Sequence, residues 1–415
     1  MSTTRRKFLS RSALLAGVVA GKGVGVGAGE ISLEQGAPRY SPPQKPVIVT
    51  RETGDTTIAE AYAMLERGGD TLDAALHICQ GREDDPNDHS VGYGGLPNED
   101  GVVELDACVM HGPTRRAGAV GAVQNIRHAG RLAKTVMEKT AHVMIVGDGA
   151  QKFAVDEGFP RENLLTDDAR KIWLLWKESG NGWWGPGLDS PDWKPPAGLP
   201  PGSIPKASLL PRHPSPEQHR MVVEAMNRLS ERAERMGIRP GLRREAVRQV
   251  LWPTTGTIHV SALNVKGEMS GATTTSGLAW KIPGRLGDSP IIGAGCFTDQ
   301  DIGSAGAIGN GEENIKVAGA HTILDMMRQG ASPKDAGLEA LRRIARNYNN
   351  DMTRLRYVDM IYYVLRRDGA YAGVSLWSTR GAGMRKTFVV HDGVQRTEPC
   401  AYLFEGSTLS VHPPL

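Results

Sequence analysis

Thr257 is the residue whose surroundings most directly suggest chemistry. It follows Gly256 and opens the apolar run Ile258-His259-Val260, and Thr273-Thr274-Thr275-Ser276-Gly277 place Thr275 eighteen residues further on. Gly284-Arg285-Leu286-Gly287-Asp288-Ser289-Pro290 and Gly309-Asn310-Gly311-Glu312 come next. A threonine hydroxyl is a weak nucleophile until a base takes its proton. If its Oγ attacks the Gly256 carbonyl, the peptide bond becomes an ester, and hydrolysis of that ester frees Thr257 as a new N-terminus. An α-amine titrates near pH ~8, close to the working range of a general base, so one residue would then carry both nucleophile and base. Glycine before it tolerates the strained backbone such an attack needs. Arg285 offers paired donors for a carboxylate, and Asp288 offers the opposite charge. Together they read as a clamp for a free amino-acid head group.

These residues need a scaffold of strands and helices. Val47–Thr50 reads as a buried strand, and Thr57–Arg67 has helical spacing that ends at Gly68-Gly69. A short helix over Leu72–Ile78 precedes a glycine-rich loop, Asp84–Pro97, which lacks the lysine of a phosphate loop. Val102–Met110 alternates like a half-buried strand. Ala117–Val123, Ala129–Thr140 and His142–Val146 continue as strand, helix and strand, and Gly147-Asp148-Gly149 leads into a further helix. Asp167–Ser179 is a further helical candidate, whereas residues 181–205 are dense in Gly, Pro and Trp and should be irregular. Ser215-Pro216-Glu217-Gln218 carries helix-start chemistry for a helix ending near Gly237, and a second runs over about 242–251. Residues 165–255 are thereby set apart as an inserted linker. Beyond Thr257, Ile258–Leu263 and Met269–Thr275 form a hairpin about the turn 264–267. Asn314–Gln329 and Pro333–Asn347 are amphipathic helices. Met360–Leu365, Tyr371–Leu376 and Lys386–Val390 are closing strands.

Composition narrows the field further. The chain has 415 residues with 40% apolar content, enough for a sizeable core. Its net charge is only +3, and basic runs such as Arg243–Arg248 are short, so nucleic acid is not an expected partner. Cys79, Cys108, Cys296 and Cys400 are widely spaced and make no C-x-x-C pair; they read as small buried hydrophobes rather than zinc ligands. No metal or organic cofactor is expected. Thr4-Arg5-Arg6-Lys7-Phe8-Leu9 and the short apolar run Ala13–Ala20 have the pattern of a twin-arginine leader. We therefore expect residues 1–30 to be a signal, with export to the periplasm and no stable membrane anchor once it is removed.

Ser90-Val91-Gly92-Tyr93-Gly94-Gly95-Leu96-Pro97, Leu105-Asp106-Ala107, Met137–Thr140, Val146–Gly149 and the Gly284–Pro290 run together resemble the glycosylasparaginase family of N-terminal-nucleophile (Ntn) hydrolases. The resemblance implies an α+β fold, a four-layer αββα sandwich. It also implies autoproteolysis at Gly256-Thr257 into an α subunit (31–256) and a β subunit (257–415), paired as a dimer of αβ heterodimers. On the positions that match, it implies Thr257 as nucleophile and Thr275 at the catalytic centre. Ser90 would line the substrate pocket, Arg285 and Asp288 would grip the α-carboxylate and α-ammonium, and Gly309 would lie in the oxyanion loop, with Asn310 beside it. The implied reaction is hydrolysis of the side-chain amide of an asparagine-type substrate, most directly N4-(β-N-acetylglucosaminyl)-L-asparagine. A plant-type L-asparaginase or isoaspartyl peptidase is the nearest alternative, and an uncut member that only binds amino acids is another. Three positions depart from the family pattern: Gly256 stands where Asp is usual, Ile308 replaces a threonine donor of the oxyanion loop, and Thr50-Arg51-Glu52 occupies the place of a substrate-packing tryptophan.

Overall fold

Alternation along the central strands sets the architecture. In the computed structural model, which describes residues 39–179, 189–191, 216–251, 256–380 and 383–408, helices and sheets are mixed. The strands are β1 (Val47–Thr50), β2 (Glu104–His111), β3 (Arg116–Gln124), β4 (Met144–Val146), β5 (Ile258–Leu263), β6 (Met269–Thr275), β7 (Cys296–Asp299), β8 (Gly303–Gly309), β9 (Met360–Arg366), β10 (Tyr371–Trp377), β11 (Thr387–His391), β12 (Gln395–Pro399) and β13 (Ala401–Phe404). Eight of them form one sheet, in the order β12-β11-β1-β5-β6-β2-β3-β4. Five form a second, in the order β13-β10-β9-β8-β7. The expected leader (1–30) and most of the Trp-rich segment lie outside the described residues.

The helices are α1 (Thr57–Glu66), α2 (Thr71–Asp84), α3 (Ala129–Lys139), α4 (Gly147–Asp156), α5 (Asp167–Lys177), α6 (Pro216–Arg235), α7 (Pro240–Leu251), α8 (Gly311–Val317), α9 (Gly319–Arg328), α10 (Pro333–Asn347) and α11 (Met352–Leu355). Successive side chains on a strand face opposite ways, and the buried clusters follow that rule. Ile48, Ile258, Val260 and Ala262 join the apolar faces of α1 to α4. Val47, Val49 and Leu263 instead pack with Ile361, Tyr363 and Leu365 of the second sheet. The other side of that sheet is covered by α9 and α10 through Ile323, Leu324, Leu341 and Ile344. A separate cluster ties α5, α6 and α7 to Leu96, Ala279 and Trp280. No described helix is long and apolar enough to cross a membrane.

Two expectations needed revision. The span 314–329 is broken in two, because Ala318 adopts left-handed φ (+45°) between α8 and α9. Strands β7 and β8 were not anticipated. β8 reads Gly-Ser-Ala-Gly-Ala-Ile-Gly, a poor strand by propensity, yet it crosses the buried His259 ring closely. A Cβ at Gly306 would lie 2.0 Å from His259 Nδ1, so only glycine fits there. All four cysteines are buried free thiols.

Candidate active site

The eighteen-residue separation of Thr257 and Thr275 is closed by one hairpin. In the β5–β6 register Ile258 faces Thr274 and Leu263 faces Met269, so one step back from Ile258 brings Thr257 opposite Thr275. The connecting turn is held by Asn264, whose Oδ1 accepts from the N–H groups of Lys266 and Glu268 at 3.0 Å each. The outcome is a buried pair: Thr257 Oγ1 donates to Thr275 Oγ1 at 3.1 Å. Thr275 Oγ1 in turn donates to the Gly256 carbonyl oxygen at 2.5 Å and accepts from Gly277 N–H at 2.9 Å. A hydrogen bond on the Gly256 carbonyl draws electron density from the carbon that Thr257 would attack.

Gly256 is tightly enclosed. A Cβ on it would stand 1.7 Å from Ser90 Cβ and 2.3 Å from Ser90 Oγ, so Ser90 occupies the space a side chain would need. Ser90 is itself fixed. Its hydroxyl donates to Asp88 Oδ1 at 2.5 Å, and its carbonyl accepts from Ser276 N–H at 2.9 Å. Burial would raise the Asp88 carboxyl, but Arg51, Ser90 and Arg82 outweigh it and hold the group below the usual carboxylate range. Arg51 reaches Asp88 Oδ2 at 2.5 Å and Arg82 reaches the same oxygen at 3.1 Å.

The clamp residues sit on a tight loop before β7. Arg285 and Asp288 are not paired with each other. Arg285 bonds Glu312 through Nε at 2.8 Å and Nη2 at 2.6 Å. Asp288 is 4% exposed and accepts from Asn314 Nδ2 at 2.6 Å, while Asn314 Oδ1 accepts from Tyr362 Oη at 2.7 Å. Burial pushes the Asp288 carboxyl up to about 6, with the Asn314 bond opposing. Gly309 ends β8 at φ +128°. Asn310 commits its backbone N–H to Asp359 O at 2.8 Å and its Oδ1 to Asp359 N–H at 2.6 Å.

A cavity of about 540 Å3 contains Ser90, Gly256, Thr257 and Gly309 in its wall, together with Ile308; Thr275, Arg285, Asp288 and Asn310 do not line it. Of the eight residues singled out, four therefore meet in one cavity. Thr275 stands directly behind them, Arg285 and Asp288 lie on the neighbouring loop, and Asn310 faces the Asp359 backbone. Among the described residues there is no group of three or more His, Cys, Asp or Glu that could hold a metal ion.

Two supporting groups had no recognisable signal in the sequence. Lys281, fully buried, donates to the carbonyls of Glu104 at 3.1 Å and Ser276 at 3.3 Å, with the Glu104 and Asp106 carboxylates 3.9 and 4.0 Å away. Glu104 also accepts from Gly284 N–H, so this ammonium joins the end of β6 to the Arg285 loop. Its burial pushes it below the ordinary lysine range against the pull of the two carboxylates. Behind Thr257, His259 bonds Thr273 Oγ1 and Ser261 Oγ, each at 2.8 Å, and Ser261 reaches Ser304 of the second sheet at 2.9 Å. Buried polar groups that satisfy one another in this way fix a single packing of the two sheets.

Comparison with known proteins points the same way as this geometry. A family model described as asparaginase, Asparaginase_2, matches residues 33–183 and 217–355, so α5 and all of α6 beyond Pro216 fall in matched segments while 184–216 does not. The chain is 33% identical to an N(4)-(β-N-acetylglucosaminyl)-L-asparaginase of Elizabethkingia miricola over 372 residues, 89% of each chain. It is 31% identical to the mouse protein of the same name over 315 residues, covering 75% of this chain and 80% of that one. A probable isoaspartyl peptidase/L-asparaginase 3 of Arabidopsis thaliana is 28% identical over 330 residues, 79% of this chain and 84% of that protein.

Proposed function

Because this chain belongs to the Asparaginase_2 family of Ntn hydrolases, we propose that it cuts its own Gly256–Thr257 bond and then hydrolyses the side-chain amide of an asparagine-type substrate, N4-(β-N-acetylglucosaminyl)-L-asparagine foremost. The observation that carries this reading is the chain of contacts from Thr257 Oγ1 to Thr275 Oγ1 to the Gly256 carbonyl oxygen. In the first reaction Thr257 Oγ adds to the Gly256 carbonyl carbon while Thr275 steadies the charge on its oxygen. The C–N bond breaks, the nitrogen takes a proton, and water hydrolyses the ester. In the second, the α-amine of Thr257 accepts the Oγ proton as Oγ attacks the substrate amide. The amine leaves protonated, and water releases aspartate from the acyl-Thr257. Arg285 would hold the α-carboxylate and Asp288 the α-ammonium, and the Gly309 backbone would face the oxyanion.

The cluster pattern supports a four-layer αββα reading, with residues 31–256 and 257–415 as the two processed chains. The pairing into a dimer of heterodimers rests on the family resemblance, and export by the twin-arginine route rests on residues 4–9. The test is the intact mass of the purified protein beside a Thr257→Ala variant. Two fragments from the wild type, the second starting at Thr257, and one chain from the variant are the expected result. A single stable chain in both would remove the mechanism.

A further inference from the structure

The amine half of the substrate must lie somewhere, and α7 borders the place available to it. We propose that α7 builds the leaving-group subsite and that Glu245 and Arg248 select a neutral, hydroxyl-rich group such as a sugar; the inference rests on the amidohydrolase reading above. Glu245, Arg248 and Gln249 share the cavity wall with Gly256 and Thr257, whereas Arg285 and Asp288 do not line that cavity. A substrate gripped by its amino-acid head on the Arg285 loop, with its amide carbon at Thr257, therefore directs its amine half into this space. The volume of about 540 Å3 is ample for one monosaccharide.

The wall favours hydroxyls over apolar or charged groups. Ile308 and Ile361 are the only purely aliphatic side chains among the described residues lining it, and none of those residues is Trp, Tyr or Phe. Most of its charges are paired. Arg51 and Arg82 share Asp88, Arg82 also pairs with Asp55 and Asp85, and Asp359 pairs with Lys386. Arg248 is neutralised by Glu245, with Nε–Oε2 at 2.9 Å and Nη2–Oε1 at 2.7 Å. Glu52 and Arg380 have opposite signs. A free carboxylate on the leaving group would thus find most of the wall's guanidinium groups already paired, while vicinal hydroxyls would find a carboxylate and a guanidinium side by side. Both line the cavity and are about a third exposed, at 32% and 37% of their side chains, so neither is closed off from a ligand by burial.

Packing as well as chain connection holds α7 in place. Val247, Val250 and Leu251 of α7 are buried against Trp280, and Trp280 Nε1 donates to the Gln249 carbonyl at 3.3 Å. Helix α7 is thus anchored by packing to the chain that follows Thr257 as well as by its connection to Gly256.

Two readings test the proposal in the wild type, Glu245→Ala and Arg248→Ala, once intact mass has established the chain state of each. The first is the ratio of kcat/KM on N4-(β-N-acetylglucosaminyl)-L-asparagine to that on L-asparagine. It should fall about ten-fold in each variant, the scale of one lost hydrogen bond to a charged group. The second is saturation-transfer NMR with free N-acetylglucosamine, which needs no turnover. Its signal should be present in the wild type and weakened in both variants. A ratio that stays put, or no sugar signal in the wild type, overturns the subsite. Sugar binding that is retained and sensitive to both variants, in a protein that hydrolyses neither substrate, would uphold the subsite and overturn the hydrolase reading instead.

Discussion

Thr275 serves two hydroxyl contacts at once. It accepts from Thr257 and donates to the Gly256 carbonyl, so its removal should slow self-cleavage without altering the strand that carries it. For Thr275→Val, which keeps the branched shape, we expect the precursor to be cut about 10²–10³ times more slowly, the usual loss for one charge-stabilising donor. A time course of chain masses after expression measures this. Processing at the wild-type rate would show that the carbonyl is activated by another group. The same scale explains Gly256. Its expected role is backbone freedom, and the structure adds a steric reason, the Ser90 side chain seated where a Cβ would go. Such a contact between residues 166 positions apart leaves no mark in local sequence.

At the scale of elements, the helical segment before Gly256 packs on one aromatic anchor. Trp280 is fully buried, stacks on Trp176 at 5.0 Å between centroids, and bonds the end of α7. Trp280→Ala should cost about 3–5 kcal/mol, the range for deleting a buried large aromatic, and should expose 216–251 to protease. Urea midpoints and limited proteolysis check both. A loss below about 1 kcal/mol would mean that α5, α6 and α7 hold together without this anchor. The helix-start signal at Ser215–Gln218 and the apolar spacing that follows announced α6 in the sequence; Ser215 itself lies outside the described residues, and the helix runs from Pro216. That α6 and α7 would share a core with Trp280, and that α7 would line the cavity beside Thr257, was not legible, because periodicity gives a helix a buried face without naming its partner.

At the scale of the whole molecule, Glu83 links a helix, a loop and the β5–β6 hairpin that carries Thr275. Its Oε1 accepts from Thr274 Oγ1 at 2.6 Å and Gly130 N–H at 3.0 Å, and its carbonyl accepts from Tyr93 N–H at 2.8 Å. Burial pushes the carboxyl up to about 7, against hydrogen bonds that oppose the shift. Between its ordinary value of 4.5 and about 7 the folded protein keeps this proton while the unfolded chain releases it. Stability from this group is therefore full below about pH 4.5 and declines as pH rises toward 7, by at most about 3 kcal/mol. Glu83→Gln, which cannot ionise, should flatten that decline. Melting temperatures at pH 5 and pH 7.5 for both proteins measure it, and an unchanged slope would place the pH dependence elsewhere.

The residues proposed to carry the chemistry stand out by type and spacing: a Gly-Thr strand entry, a second threonine eighteen positions on, and an Arg/Asp run. The hairpin connecting the two threonines was visible as well, since alternation and turn chemistry are local properties that act over a few residues. Tertiary structure alone decided the rest. It paired Arg285 with Glu312 and left Asp288 to Asn314, placed Asn310 against Asp359, buried Lys281 between two strands, and made a strand of the glycine-rich segment 303–309. Each of those outcomes depends on which surfaces approach within a few ångströms, and that is set by how the two sheets and their helices pack. Sequence spacing constrains such packing only where one hairpin or one helix spans the whole distance.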